Sequence, residues 1–268
     1  MTVPQEPASP PAPTTTPLPI TSKPAVPAAP APPSTDTSFP PSAAAYPIPP
    51  LTFQIQTLTH PGATAFLSNT TISTAFAAHI TTVLTQLYPT ADPSVHLPPT
   101  KSVALILRAM DGVAYTVGTQ ASDAAKEIHF SLDYISRISA DRLKDEISGV
   151  LVHELVHCFQ YNGLNTCPSG LIEGIADYVR LKANLAAPHW KRTGEGKWDA
   201  GYERTGFFLE WIDTTRGDGK GGVVRRMNEW LREKKYEEGR FWREVVGGEV
   251  GGLWEEYGRF VKGGEEGV

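Results

Sequence analysis

Several things are scarce in this sequence. Cysteine occurs twice in 268 residues, at Cys158 and Cys167. Two thiols cannot build a disulfide framework, although a single Cys158–Cys167 bridge stays open. No apolar run approaches the roughly 18–20 residues that a membrane-spanning helix needs. Basic charge is not in excess either, the formal net charge being −5. Neither nucleic acid nor an anionic membrane surface is therefore an expected partner. The opening residues, Met-Thr-Val-Pro-Gln-Glu-Pro, offer no basic n-region and no apolar h-region, so a conventional signal peptide is not expected. These absences lead to the expectation of a soluble protein, intracellular or exported by an unconventional route; a monomer is expected.

Charge is locally scarce as well. Residues 1–50 hold 17 of the 24 prolines and only three charged side chains, Glu6, Lys23 and Asp36. Such a segment buries too little apolar surface to offset the entropy of ordering it. The expectation is a disordered Pro-rich tail over 1–50, a folded domain over 51–262 and a flexible tail over 263–268. The domain divides at about residue 186 into a part with strands and a helical part over 187–262.

Within the domain, residues 51–58 alternate apolar and polar as a half-buried strand does. Residues 64–88 predict a helix with Phe66, Phe76, Ile80, Val83, Leu84 and Leu87 on its buried side. Pro89, Pro93, Pro98 and Pro99 mark a loop. Strands are expected at Val103–Leu107, at Val113–Val117 after the Asp111-Gly112 turn, and at Ile128–Ile135. Ser139 is the expected N-cap of a helix that runs to about Tyr161. Further helices are expected near 169–186, 199–213, 222–236 and 252–262, with breaks at Gly217–Gly222 and Gly247–Gly252. Strands precede helices, which predicts α+β rather than an alternating sheet.

Residues 150–159, Val-Leu-Val-His-Glu-Leu-Val-His-Cys-Phe, are apolar around nearly the whole helical circumference. A helix of that kind is buried, yet this one carries two histidines and a glutamate that need partners. His153 and His157, spaced i, i+4, project from one face, a spacing that suits two ligands of a tetrahedral Zn²⁺. Glu154 lies roughly 100° further round, placed to reach a metal-bound water. This is the His-Glu-x-x-His arrangement of zinc peptidases. Gly163 stands where the extended pattern would need a third histidine, which excludes that subclass. Downstream, Glu173 and Asp177 again share a helix face. Glu173 completes a two-histidine, one-glutamate set with an open position, as in catalytic rather than structural sites. Asp177 is the expected partner of a ligand histidine's second ring nitrogen.

Taken together, His153-Glu-Leu-Val-His-Cys-Phe-Gln160 and Gly170-Leu-Ile-Glu-Gly-Ile-Ala-Asp-Tyr-Val-Arg-Leu-Lys182 resemble the plant basic secretory protein family of zincin-like peptidases. Met110-Asp-Gly-Val-Ala-Tyr115, Ile128-His-Phe-Ser131, Gly201-Tyr-Glu-Arg-Thr-Gly-Phe-Phe-Leu209 and Leu253-Trp-Glu-Glu-Tyr257 extend the resemblance over about 51–262. It implies a zincin-like fold in which a small mixed sheet and an active-site helix are followed by a mostly helical part. It also implies zinc as cofactor, a peptide or protein substrate, and proteolysis with Glu154 as general base. Tyr202 stands where related enzymes supply a tyrosine to the oxyanion. Val113–Val117 stands where related zincins keep an edge strand beside the cleft. The resemblance implies secretion, whereas the acidic charge and the missing leader do not. Two other readings stay open: a zincin-fold binding or defence protein with weak turnover, and a metal-free interaction module.

Overall fold

The computed structural model describes residues 46–88 and 96–265 and contains a four-stranded sheet. The strands are β1 (Leu51–Ile55), β2 (Ser102–Arg108), β3 (Ala114–Thr119) and β4 (Ser122–Ser131), in the order β1-β2-β4-β3. The first three in that order run parallel, and β3 is antiparallel to β4. The sheet is therefore mixed, with β3 as an edge. Alternation along the strands sends Val103, Leu105, Leu107, Ile128 and Phe130 to one fully buried face.

Helices α1 (Pro61–Asn69) and α2 (Ile72–Leu87) connect β1 to β2. The single helix expected over 64–88 is thus two. The first starts earlier, where His60 Nδ1 accepts from Gly62 N and Pro61 fits the first helical position. It ends at the extended Thr70, a β-branched residue poorly suited to a helix interior. Phe76, Ile80, Val83, Leu84 and Leu87 form the buried stripe of α2.

The strand expected at Ile128–Ile135 also differs. It begins at Ser122, because pairing with β3 at Ser122, and with both β2 and β3 at Lys126 and Glu127, holds residues of low strand propensity. It stops at Ser131, whose hydroxyl caps α3 (Leu132–Arg137) by accepting from Tyr134 N. Leu132 and Ile135, one helical turn apart, bury the inner side of α3.

The next helix, α4 (Leu143–Phe159), begins later than the Ser139 cap predicts, because Ser139–Arg142 form a preceding turn. Burial on all sides is as expected, with 12 of its 17 residues buried. It packs on α1, α2, β3 and β4 and on α5 (Ser169–Lys182). The remainder is helical: α6 (Tyr202–Arg216), α7 (Gly222–Glu233), α8 (Glu238–Val245) and α9 (Val250–Glu265). The heavily charged α8 has no counterpart in the sequence reading, and its helical state follows from burying Phe241, Trp242 and Val245. The break expected at Gly247–Gly252 is shorter, since Gly251 and Gly252 lie inside α9, which Leu253 and Tyr257 anchor in the core.

One apolar cluster joins the sheet to the C-terminal helices. Cys158 and Cys167 are free thiols. No described helix is long and apolar enough to cross a membrane. The Pro-rich tail up to residue 45, the loop segment carrying Pro89 and Pro93, and residues 266–268 lie outside the described residues.

Candidate active site

α4 and α5 together assemble the site. His153 Nε2 and His157 Nε2 stand 3.2 Å apart. Glu173 Oε2, from the neighbouring α5, lies 3.1 Å from the first and 3.5 Å from the second. Three donor atoms thus form a nearly equilateral triangle, and His153, His157 and Glu173 are a group able to hold a metal ion. Asp177, one turn beyond Glu173, sits 2.6 Å from His153 Nδ1. A carboxylate only accepts, so Nδ1–H is the donor, and Nε2 is left facing the triangle.

The electrostatics fit a cation at that point. Burial opposes charge on His153, but its hydrogen bonds to Asp177 and Glu173 outweigh this and push its pKa up to about 10. Burial likewise opposes charge on Glu173, yet the two histidines hold its carboxyl well below the usual carboxylate range. A positive charge at this point is therefore favoured by the carboxylates of Asp177 and Glu173, and a proton on His153 offsets part of their negative charge. A metal ion in the triangle would replace that proton.

Glu154 is only 5 % exposed, and its Oε2 accepts from Thr116 Oγ1 at 2.7 Å. Tyr202 stacks on His153, with ring centroids 6.2 Å apart and planes 10° from parallel. It is 56 % exposed toward the cleft. Its hydroxyl pKa is raised, first by the negative charge of Glu173, then by burial and by Asp177 and Glu154. It therefore remains a donor. Tyr202 has φ +51°, directly after Gly201 at φ +83°. A left-handed tyrosine costs on the order of 1–3 kcal/mol and persists only where its surroundings impose it. Gly170 contributes to that constraint: a Cβ there would stand 1.8 Å from Asp199 O. Without one, the loop before Tyr202 lies against α5.

All six residues singled out in the sequence, His153, Glu154, His157, Glu173, Asp177 and Tyr202, line one cleft of about 1280 Å³. Small-molecule pockets measure roughly 300–1,000 Å³, so this cleft has room for an extended chain. His189 lines it as well. His129 does not. It lies on the opposite face of the sheet, stacked on Tyr115 and 3.2 Å from Glu127.

The side-chain contacts of two residues escaped the sequence reading. Thr116 is one. Gln160, at the C-cap of α4, is the other, its amide nitrogen 2.8 Å from His157 Nδ1. Its amide oxygen is buried without a partner. When His157 turns a lone pair to a metal from Nε2, Nδ1 carries the proton and needs an acceptor. Turning the amide over supplies that acceptor and satisfies the orphaned oxygen.

The open edge of β3 runs along the same cleft, which Val113, Ala114, Tyr115 and Thr116 help to line. Ser131 N donates to Val113 O at 2.9 Å, and bonded pairs recur at every second residue of an antiparallel ladder. Val113, Tyr115 and Val117 therefore bond β4, while Ala114, Thr116 and Gly118 turn N–H and C=O outward. Among the described residues no strand pairs with that edge.

No curated protein and no solved structure matches this chain. A family model does, over residues 48–257, and the chain belongs to that family, BSP, described as peptidases of plants and bacteria.

Proposed function

We propose that the protein is a zinc-dependent peptidase, zincin-like in its use of one histidine-bearing helix and a glutamate from the next. The observation that carries this reading is the donor triangle, with edges of 3.1, 3.2 and 3.5 Å. A tetrahedral zinc ion with ligands about 2.0–2.1 Å away has them about 3.3–3.4 Å from one another. Two imidazoles and a carboxylate also leave the fourth position open, as catalysis requires.

Zinc, when bound, supplies Lewis acidity and brings the pKa of a coordinated water toward neutrality. The rest of the proposed chemistry belongs to the chain. Glu154 accepts a proton from the attacking water and passes it to the leaving amine. Asp177 fixes the tautomer and orientation of His153. Tyr202, a protonated donor at the mouth of the site, stabilises the oxyanion that forms from the scissile carbonyl. The outward backbone groups of Ala114 and Thr116 receive the substrate as an added strand.

Two expected outcomes test the reading. Hydrolysis of casein or a fluorogenic peptide is abolished by a chelator and restored by added zinc; activity indifferent to chelation contradicts it. Ala114→Pro removes one outward N–H. A net hydrogen bond is worth about 0.5–1.5 kcal/mol, so kcat/KM should fall roughly 2- to 12-fold. Zinc content and melting temperature should hold, because edge positions tolerate proline. An unchanged kcat/KM in a folded, zinc-loaded variant would show that the edge does not hold substrate.

A further inference from the structure

We infer that Thr116 is the positioning residue that holds the Glu154 carboxylate and links it to the peptide-binding edge, an inference that rests on the function proposed above. The register makes the case. Phe53, Leu105, Ile128 and Thr116 stand side by side across the four strands, on the face toward the helices. The first three are apolar, and Leu105 and Ile128 are fully buried. A hydroxyl at the end of that row needs a partner. It has one in Glu154, with Oγ1 2.7 Å from Oε2 and 3.0 Å from the backbone oxygen of the same residue.

The chemistry explains why such an anchor is useful. A glutamate side chain has three rotatable bonds, and Glu154 lines the same cleft as the group that would hold a cation. An untethered carboxylate there would be drawn into the metal's coordination and lost as a base. A hydroxyl on one oxygen keeps the group at the wall of the cleft and leaves the other oxygen free for the water. Thr116 performs this with its side chain, while its N–H and C=O face the open edge of β3. Side chain and backbone are thus separable. Removing the hydroxyl should disturb turnover but not docking.

Thr116→Val is nearly isosteric and keeps every backbone group. Hydrogen bonds to charged groups support an expected fall in kcat of about 10- to 100-fold, with KM changed less than about twofold. Zinc content and melting temperature are expected to stay at the wild-type level. Thr116→Ser restores the hydroxyl and recovers most of the lost turnover. Unchanged kcat in Thr116→Val overturns the inference. So does an equal loss in Thr116→Val and Thr116→Ser, which would assign the effect to packing rather than to the hydroxyl. A rise in KM with kcat intact would make Thr116 a substrate contact instead. Glu154→Gln is assayed in parallel. If it is fully active, the function proposed above fails. If it is inactive while Thr116→Val is not, the inference about Thr116 alone fails.

Discussion

Replacing Glu154 with glutamine is expected to lower peptide hydrolysis about 10²–10⁴-fold, the scale of a lost general base. The amide keeps the shape of the carboxylate and its oxygen can still accept from Thr116, which sits 2.7 Å from Oε2. It cannot take a proton at neutral pH. Because Glu154 is not one of the three donor groups of the triangle, zinc should remain bound. Fold should also survive, since removing a buried negative charge lowers a desolvation cost. The loss should sit in kcat, with KM changed little, because substrate docking is assigned to the edge of β3. A variant that retains turnover would remove Glu154 from the mechanism whatever the metal content.

His153→Ala and His157→Ala should both lose zinc, but they should differ in the metal-free protein. A metal that binds only the folded state adds stability of about 2.7 kcal/mol when free zinc is a hundred times its Kd. For a domain of this size that is a melting shift of about 5–10 °C. His157→Ala forfeits this increment and should melt close to chelator-treated wild type. His153→Ala forfeits more. Asp177 is 3 % exposed, and its partner in the site is His153 Nδ1 at 2.6 Å. Deleting one member of a buried charged pair costs about 3–5 kcal/mol, because the other is left uncompensated. His153→Ala should therefore melt clearly below chelator-treated wild type, and the double variant His153→Ala/Asp177→Asn should regain part of the difference. Stoichiometric zinc in either single variant would show that the ion sits elsewhere.

Much of the candidate site was legible in the sequence because its donor groups recur at helical spacing within two short segments. The apolar surround of His153, Glu154 and His157 made their burial predictable, and burial of three polar groups demanded partners. Glu173 and Asp177 supplied them at the next helix, again one turn apart. Gln160 was within reach of the same argument, being three residues from His157, where i, i+3 side chains meet. Thr116 was not. It stands 38 residues from Glu154, and threonine in a strand is ordinary. Only the register that aligns Thr116 with Ile128 and Leu105 turns it toward α4. The fold errors have a similar origin. Ser122–Glu127 becomes a strand through pairing with β3 at Ser122 and with both β2 and β3 at Lys126 and Glu127, α8 a helix through burial of Phe241 and Trp242, and Gly251-Gly252 stay helical because Leu253 and Tyr257 hold α9 in the core. In each case packing overrides local propensity. Ser131 misled in the opposite way. Its role as a helix cap was encoded locally, but Leu132 and Tyr134 continue the alternation of Ile128 and Phe130 and so match a strand as well as a helix.

The most direct test of the account is zinc content measured by atomic absorption, together with peptide hydrolysis, on wild type and Glu154→Gln purified side by side after metal-replete expression. The account predicts about one zinc per chain in both proteins, with hydrolysis in the wild type and almost none in the variant. Wild-type protein without stoichiometric zinc, or a zinc-loaded Glu154→Gln that cleaves as fast as wild type, would contradict it.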